Sequence, residues 1–156
     1  MSKKAIYAGT FDPFTKGHED ILEKGLKIFD EVILLISVPP NKKAFLEVEK
    51  RVSILQKLYS KNDRVKVDHW GGLLAEYASE KKVGHLIRGL RSTSDFNGEF
   101  QMSCMNRVLN KSLETCFFVS EQKFLHISSS LVREIWGHGG DISSFVPGQV
   151  LDELKK

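Results

Sequence analysis

The chain has 156 residues, enough for one domain with a sizeable core, and its 41% hydrophobic and 28% charged residues are typical of a globular protein. Its net charge of +3 comes without the dense basic stripe of nucleic-acid-binding proteins, so we expect no nucleic-acid partner. The longest apolar run, residues 32–36, is too short to cross a bilayer, and the first residues lack the apolar segment of a signal peptide. These features predict a cytoplasmic protein without a membrane partner.

Two cysteines, Cys104 and Cys116, have neither the number nor the spacing of a disulfide framework or a zinc site. Both have apolar neighbours in the sequence, so we expect buried free thiols in a reducing compartment. The five histidines include no pair at metal-ligand spacing, so we expect no metal ion held by protein side chains alone.

Short β-rich runs alternate along the chain with helical patterns, and there is no internal repeat or Ser/Gly-rich linker. We predict strands over residues 3–7, 31–38, 64–70, 85–88 and 114–120. We predict helices over residues 16–29, 48–59, 73–82, 95–109, 129–136 and 147–154. Ser94 or Asp95 is the expected N-cap of the fourth helix, and Pro147 is acceptable in the first turn of the last.

Strand–helix alternation of this kind predicts an α/β fold, a doubly wound five-stranded parallel sheet in a single domain over residues 1–156. Such sheets bind ligands at the carboxyl ends of their strands. The chemically suggestive segments follow strands one, two, four and five, at residues 9–13, 39–43, 88–91 and 127–130. All four are therefore expected at one edge of the sheet, as a pocket for small anions.

The run GTFDPFTKGH, from Gly9 to His18, joins the first strand to the first helix. Thr15 can cap that helix, whose free N–H groups favour a phosphate, and His18 in the first turn can point an imidazole N–H at it. A lone Gly-x-His would be read as an ordinary turn with a surface histidine, but the full string is more specific.

The string resembles the T-x-G-H signature of the nucleotidyltransferase superfamily. With Lys42, LIRGLRSTSDFNGE, MNR at residues 105–107 and ISSSLVRE at residues 127–134, nearly the whole chain is similar to the phosphopantetheine adenylyltransferase family. That resemblance implies a Rossmann-like fold and transfer of AMP from ATP to 4′-phosphopantetheine, giving 3′-dephospho-coenzyme A and pyrophosphate in coenzyme A biosynthesis. It also implies Mg²⁺, held mainly by substrate phosphates, and a homohexamer.

By the same resemblance, His18, Lys42 and Arg91 form the catalytic set, in which His18 stabilises the transition state and Lys42 bridges the acceptor phosphate and the α-phosphate. The expected acceptor-binding residues are Thr10, Lys42, Leu74 and Arg88, with Arg88 pairing with the acceptor phosphate. The expected ATP-binding residues are Thr10, Phe11, His18, Gly89, Leu90, Arg91, Glu99, Phe124, Leu125, His126, Ile127, Ser128, Ser129 and Ser130. The family often has an aromatic residue before the glutamate, and here Asn97-Gly98 is expected to loosen the start of the helix.

No Ser–His–Asp or Cys–His set is expected, because an anionic phosphate oxygen is already a nucleophile and the reaction needs mainly cations and N–H donors. Two alternatives stay open. One is a related nucleotidyltransferase for another acceptor, such as nicotinamide mononucleotide, or a cytidylyltransferase. The other is a module that senses a nucleotide or coenzyme A without turnover.

Overall fold

The structure, a computed structural model, describes residues 3–41 and 43–156. Five strands alternate with helices along the chain: β1 (Lys4–Gly9), β2 (Glu31–Ser37), β3 (Val65–Trp70), β4 (His85–Leu90) and β5 (Glu114–Val119). The helices are α1 (Lys16–Leu26), α2 (Val48–Leu58), α3 (Leu74–Lys81), α4 (Thr93–Leu109), α5 (Ser129–Gly137) and α6 (Gly148–Leu154), with a 3₁₀ turn at Gln122–Phe124.

The strands form one parallel sheet in the order β3-β2-β1-β4-β5, which confirms the predicted α/β sheet. The central strand pairs Ile6 with Ile33 of β2 on one side and with Leu86 of β4 on the other. The strand order reverses direction between β1 and β4. On one side of β1 lie β2 and β3, and on the other side lie β4 and β5. Open α/β sheets bind ligands outside the strand ends at such a switch point.

Alternate residues of the strands pack on opposite faces of the sheet, because successive side chains in a strand point in opposite directions. Tyr7, Leu34 and Ile87 contribute to a core shared with α1, α2, α5 and α6. Ile6 and Leu35 contribute to a second core with Ala75 and Tyr77 of α3. Both faces are therefore covered, as a buried parallel sheet requires.

The element boundaries differ from the sequence prediction at several ends. β1 extends to Gly9 and β4 to Leu90, because each continues its pairing with a neighbouring strand. α1 ends at Leu26, and the chain turns at residues 27–29. Pro147 is the N-cap of α6 and lies before its first turn.

The start of α4 was predicted too late. Its N-cap is Ser92, whose hydroxyl accepts from the amide of Asp95, so neither Ser94 nor Asp95 has the capping role. The helix runs without interruption through Gly98, so the expected loosening by Asn97-Gly98 is wrong.

The prediction of two buried thiols also fails. Cys104 is exposed on α4, because the apolar side chains around it face outwards, and Cys116 is half-buried. Within residues 3–41 and 43–156, no helix is both long and apolar enough to span a membrane.

Candidate active site

A cavity of about 270 Å³ lies at the carboxyl ends of β1 and β4, at the switch point of the sheet. Its walls come from the carboxyl ends of β1 and β4 and from the loop between β1 and α1. The first two turns of α1 and of α4 and the start of α5 complete them. The lining residues are Tyr7, Ala8, Gly9, Phe11, Thr15, Gly17, His18, Ile21, Arg88, Gly89, Arg91, Asp95, Glu99, Ser120, Ile127, Ser128, Ser129 and Ser130.

His18 is fixed at the floor of this cavity by the N-terminus of α1. Thr15 is the N-cap of the helix, as predicted, and its hydroxyl accepts from the amide of His18. In return, the amide of Thr15 donates to Nδ1 of His18 at 3.0 Å, which completes a capping box with histidine in the place of the usual glutamate. The backbone of the helix start therefore sets the orientation of the imidazole.

The protonation of His18 follows from these contacts. Burial, together with the positive charges of Arg91 and Arg88, lowers the pKa of His18 from 6.5 to about 3, so the ring is neutral at pH 7. Because an N–H group donates to Nδ1, the one proton of the neutral ring is on Nε2. His18 is thus a neutral N–H donor, and it needs no acid–base change to act as one.

Aromatic packing supports the ring from the protein side. Phe11 and Phe14 are both 2% exposed, and their rings lie 5.1 Å and 5.4 Å from that of His18, measured between centroids. Phe11 adopts a left-handed backbone conformation with φ of 46°, which is uncommon for a residue other than glycine. A Cβ atom on Gly9 would lie 3.0 Å from Cε1 of Phe11, so the position before this turn has little room for a side chain.

Two arginines reach the cavity, and α4 holds each of them through a carboxylate. Glu99 accepts from Nε and Nη2 of Arg88 at 2.6 Å and 2.5 Å. Asp95, one helical turn earlier, accepts from the backbone amide of Arg91 at 3.0 Å and lies 3.3 Å from its Nε. Such bidentate and charge-assisted contacts fix the plane of a guanidinium. Nη1 of Arg88 also donates to the carbonyl of Ala8 at 2.7 Å, and Nη1 of Arg91 donates to that of Ile127 at 2.9 Å.

The start of α5 closes the cavity with three consecutive serines. Ser128 is the N-cap, and its hydroxyl accepts from the amide of Leu131. The hydroxyl of Ser129 donates to the carbonyl of Pro13 at 2.8 Å, which ties α5 to the loop after β1. Free amides and the positive end of the helix dipole make this start of a helix favourable for a phosphate group.

Gly89 lines the cavity and lies against Ile21 of α1. A Cβ atom at this position would lie 2.8 Å from Cγ1 of Ile21, so a side chain here would collide with that of Ile21. Close packing of this helix on the strand places Gly17 and His18 beside Arg88 and Arg91.

The structure thus brings most of the predicted site residues together, but not all. This cavity is lined by Phe11, His18, Arg88, Gly89, Arg91, Glu99, Ile127 and Ser128 to Ser130. Thr10, Leu74, Leu90, Phe124, Leu125 and His126 are outside its lining. Thr10 directs its carbonyl to Arg51, Leu74 packs on the second core, and the ring of His126 lies 6.2 Å from that of Phe145. Lys42 lies outside the described residues.

Sequence reasoning missed several residues that line the cavity, among them Tyr7, Ile21, Asp95 and Ser120. For Asp95 a signal was present, since it precedes Glu99 by one helical turn and follows Arg91 by four residues. Ser120 gives no local signal, because its position depends on how β5 pairs with β4.

The chemistry available here is anion recognition by N–H donors, hydroxyl groups and guanidinium groups. In the described part of the chain, no group of three or more His, Cys, Asp and Glu side chains is placed to hold a metal ion. The two carboxylates of the cavity, Asp95 and Glu99, are each engaged with an arginine. The donor set therefore suits a ligand that carries several phosphate groups.

Comparison with known proteins agrees with a site for a ligand that carries several phosphate groups. Residues 6–135 match the family described as cytidylyltransferase-like. A phosphopantetheine adenylyltransferase of Legionella pneumophila (strain Lens) is 45% identical over 156 residues, which are 100% of this chain and 92% of the relative. Proteins of the same name from Desulfatibacillum aliphaticivorans and Thioalkalivibrio sulfidiphilus are 41% and 43% identical, over 100% and 99% of this chain and 89% and 98% of their own lengths. The chain therefore belongs to the cytidylyltransferase-like family of nucleotidyltransferases, among the phosphopantetheine adenylyltransferases.

Proposed function

We propose that this enzyme transfers AMP from ATP to 4′-phosphopantetheine and releases 3′-dephospho-coenzyme A and pyrophosphate, a step of coenzyme A biosynthesis. The observation that carries the proposal is the convergence of His18, two oriented arginines and the start of α5 on one cavity. The family to which the chain belongs supports the acceptor.

In the proposed reaction, a phosphate oxygen of the acceptor attacks the α-phosphorus of ATP. A bond forms between that oxygen and the α-phosphorus, and the bond from the α-phosphorus to the bridging oxygen breaks, so pyrophosphate leaves with the electron pair. The acceptor oxygen is already anionic, so no general base is required. The barrier comes from repulsion between anions and from negative charge that accumulates on the transferred group.

His18 and the two arginines address that barrier. Nε2–H of His18 donates to an oxygen of the α-phosphate, and the donor is oriented before the substrate arrives by the contact of Nδ1 with Thr15. Arg91 and the N-terminus of α5 bind the phosphate chain of ATP, and Arg88 binds the acceptor phosphate. Lys42, which follows two prolines in the sequence, joins the two substrates in this scheme.

Mg²⁺ enters this scheme as part of the substrate, as the complex with ATP. The donor set fits that role, because both carboxylates of the cavity are already engaged with arginines and leave phosphate and water oxygens as the main ligands. The ion supplies neutralisation of the leaving pyrophosphate, and the protein residues orient the phosphates around it.

The decisive experiment is incubation of the protein with ATP, Mg²⁺ and 4′-phosphopantetheine while dephospho-coenzyme A and pyrophosphate are quantified. We expect both products in equal amounts and none with excess chelator. Nicotinamide mononucleotide as acceptor and CTP as donor test the alternative enzymes. Preference for either of these, or ATP binding without product, would overturn the proposal in favour of a different transferase or a sensing module.

We further propose that the enzyme acts in the cytoplasm as a homohexamer. The apolar face of α4 supports assembly, since Phe100, Met105 and Val108 are 52%, 58% and 75% exposed. Sedimentation velocity tests it. Met105→Glu should reduce the assembly, whereas Ile28→Glu, which changes an equally exposed apolar residue just after α1, should leave it intact.

A further inference from the structure

Two buried charged side chains join the loop after β1 to the loop between β2 and α2. Asp12 is 6% exposed, and its carboxylate accepts from the amides of Phe45 at 2.7 Å and Leu46 at 2.8 Å. Arg51, in the first turns of α2, is 4% exposed. Its Nε donates to the carbonyl of Leu46 at 2.9 Å, and its Nη1 donates to the carbonyl of Thr10 at 2.7 Å.

These four hydrogen bonds form a closed connection between the loops, which we call the Asp12–Arg51 clip. Leu46 is held from both sides, since its amide donates to Asp12 and its carbonyl accepts from Arg51. Thr10 and Asp12, two residues apart, supply the contacts on the other loop. Both segments thereby keep a fixed distance and orientation to each other.

Burial of a carboxylate and of a guanidinium is costly unless each is compensated by hydrogen bonds. Among the residues that the structure describes, Arg51 has no carboxylate within ion-pair distance and is compensated by backbone carbonyls. An apolar residue would fill the same volume at lower cost, so packing alone does not explain a charged side chain here.

The loop after β1 also has hydrogen bonds to α5. Nη1 of Arg133 donates to the carbonyl of Asp12 at 2.6 Å, and the hydroxyl of Ser129 donates to that of Pro13. α5 therefore provides a rigid frame for this loop, and the Asp12–Arg51 clip extends that frame to the next loop. The extended frame reaches Phe45 and Leu46, shortly before the start of α2.

We propose that Asp12 and Arg51 are positioning residues for the transfer reaction, because their clip holds the backbone on both sides of Phe11, whose ring lines the anion-binding cavity and packs on His18. This inference rests on the proposed function. Thr10 and Asp12 are the direct neighbours of Phe11, so fixing the backbone at both of them fixes the Phe11 ring beside His18. Neither Asp12 nor Arg51 lines the cavity, and both act through the backbone of the loops.

The test compares Asp12→Asn and Arg51→Lys with Arg64→Lys. Arg64 is the matched control, because its guanidinium also binds backbone carbonyls, those of Leu26, Phe29 and Asp30, near the amino end of β2 and away from the cavity. We expect kcat to fall about ten- to a hundredfold in Asp12→Asn and in Arg51→Lys, because small misplacements of reacting groups are costly. The Kd for ATP should stay within about twofold.

Arg64→Lys should lower the midpoint of thermal unfolding without lowering kcat. If its kcat falls as much as that of the clip variants, or if kcat of the clip variants is unchanged, the positioning role is wrong. The double variant of Asp12 and Arg51 should be no slower than the slower single variant, because both changes break one connection. Full additivity of the two losses would contradict a single clip.

Hydrogen exchange separates this inference from the proposed function. In Asp12→Asn, the amides of Phe45 and Leu46 should exchange faster than in the wild type, whereas amides of β1 and β2 should not change. This readout needs no substrate. If the wild-type protein binds ATP but forms no dephospho-coenzyme A, the proposed function is wrong. The exchange rates of Phe45 and Leu46 in Asp12→Asn still test whether the clip exists. If exchange at both amides is the same in Asp12→Asn as in the wild type, the clip is wrong, even when the wild-type enzyme is fully active.

Discussion

The imidazole of His18 uses one nitrogen as an acceptor for the protein and keeps the other as a donor for a ligand. Nδ1 is engaged by the amide of Thr15, and the lowered pKa, about 3, keeps the ring neutral. A general base would need Nε2 free of its proton. The geometry therefore favours a donor over a base at this position.

We expect His18→Ala to lose about a hundred- to a thousandfold in kcat with near-normal affinity for ATP, the usual cost of one transition-state donor. His18→Gln should recover more of that loss than His18→Asn, because the amide nitrogen of glutamine reaches the position of Nε2, whereas that of asparagine matches Nδ1. Turnover at saturating ATP is the measurement. Equal inactivity of all three folded, ATP-binding variants would exclude the donor role.

Arg88 poses a different question, since three of its nitrogens already have partners in the protein. Arg88→Ala should weaken 4′-phosphopantetheine about ten- to a hundredfold, as expected for a lost charge-assisted contact, and ATP much less. It also leaves Glu99 as an unpaired negative charge beside phosphates. Arg88→Ala combined with Glu99→Gln should therefore bind the acceptor better than Arg88→Ala alone.

Separate titrations of the two ligands check this, with the exposed Lys66→Ala as a control for the loss of one positive charge. Equal losses for both ligands would contradict the assignment of Arg88 to the acceptor. A double variant no better than the single one would show that Glu99 has no electrostatic effect on that ligand.

At the scale of elements, α4 contains a glycine that the helix does not need. Gly98 lies in the interior of α4, and an added Cβ atom would meet nothing within 4 Å. We expect Gly98→Ala to raise the free energy of unfolding by about 0.5–1 kcal/mol, because alanine loses less backbone entropy in a helix. Urea unfolding is the measurement.

Gly25 in the last turn of α1 is the matched contrast. A Cβ atom added to Gly25 would lie 2.6 Å from Cδ1 of Ile87. The side chain of Ile87 is fully buried and has no solvent to move into. Gly25→Ala should therefore destabilise the protein by about 1–3 kcal/mol, the usual range for an overpacked core. If Gly25→Ala also stabilised the protein, helix propensity would outweigh the packing penalty at Gly25.

The elements could be predicted from the sequence where their signal is local. The interior of β2, residues 32–36, is a run of consecutive apolar residues, and the caps of α1 and α5 are Thr15 and Ser128, at the starts that the sequence suggested. The start of α4 was missed because Ser92, Ser94 and Asp95 are all good caps and only the backbone geometry distinguishes them. The ends of β1 and β4 depend on pairing between strands, which no local pattern encodes.

For the site, the sequence indicated the segments but not their contacts. The motif and the strand-end rule identified His18, Gly89 and Arg91. The pairing of Arg88 with Glu99 requires that β4 and α4 meet at a defined angle, and the Asp12–Arg51 clip includes a hydrogen bond between residues 41 positions apart, Thr10 and Arg51. Both are tertiary contacts, so spacing along the chain gave no signal for them.

At the scale of the whole molecule, the buried neutral His18 links function to the pH dependence of folding. In the unfolded chain its pKa is the ordinary 6.5, and in the folded protein burial and the two arginines lower it to about 3. Between these values the unfolded state binds more protons than the folded state. The free energy of unfolding therefore falls as the pH decreases from about 6.5 towards 3, and this contribution is fully present above pH 6.5.

We expect this contribution to amount to at most about 1.4 kcal/mol per pH unit in that window. His18→Gln cannot take up the proton, so the stability of the wild type relative to His18→Gln should decrease steadily from pH 7 to pH 4.5. Urea unfolding of both proteins across this range gives the difference, and all other titrating groups cancel in it. A difference that does not vary with pH would show that the folded protein protonates His18 as readily as the unfolded chain. The ring would then be charged below pH 6.5, and transfer by a neutral Nε2–H donor would be restricted to higher pH.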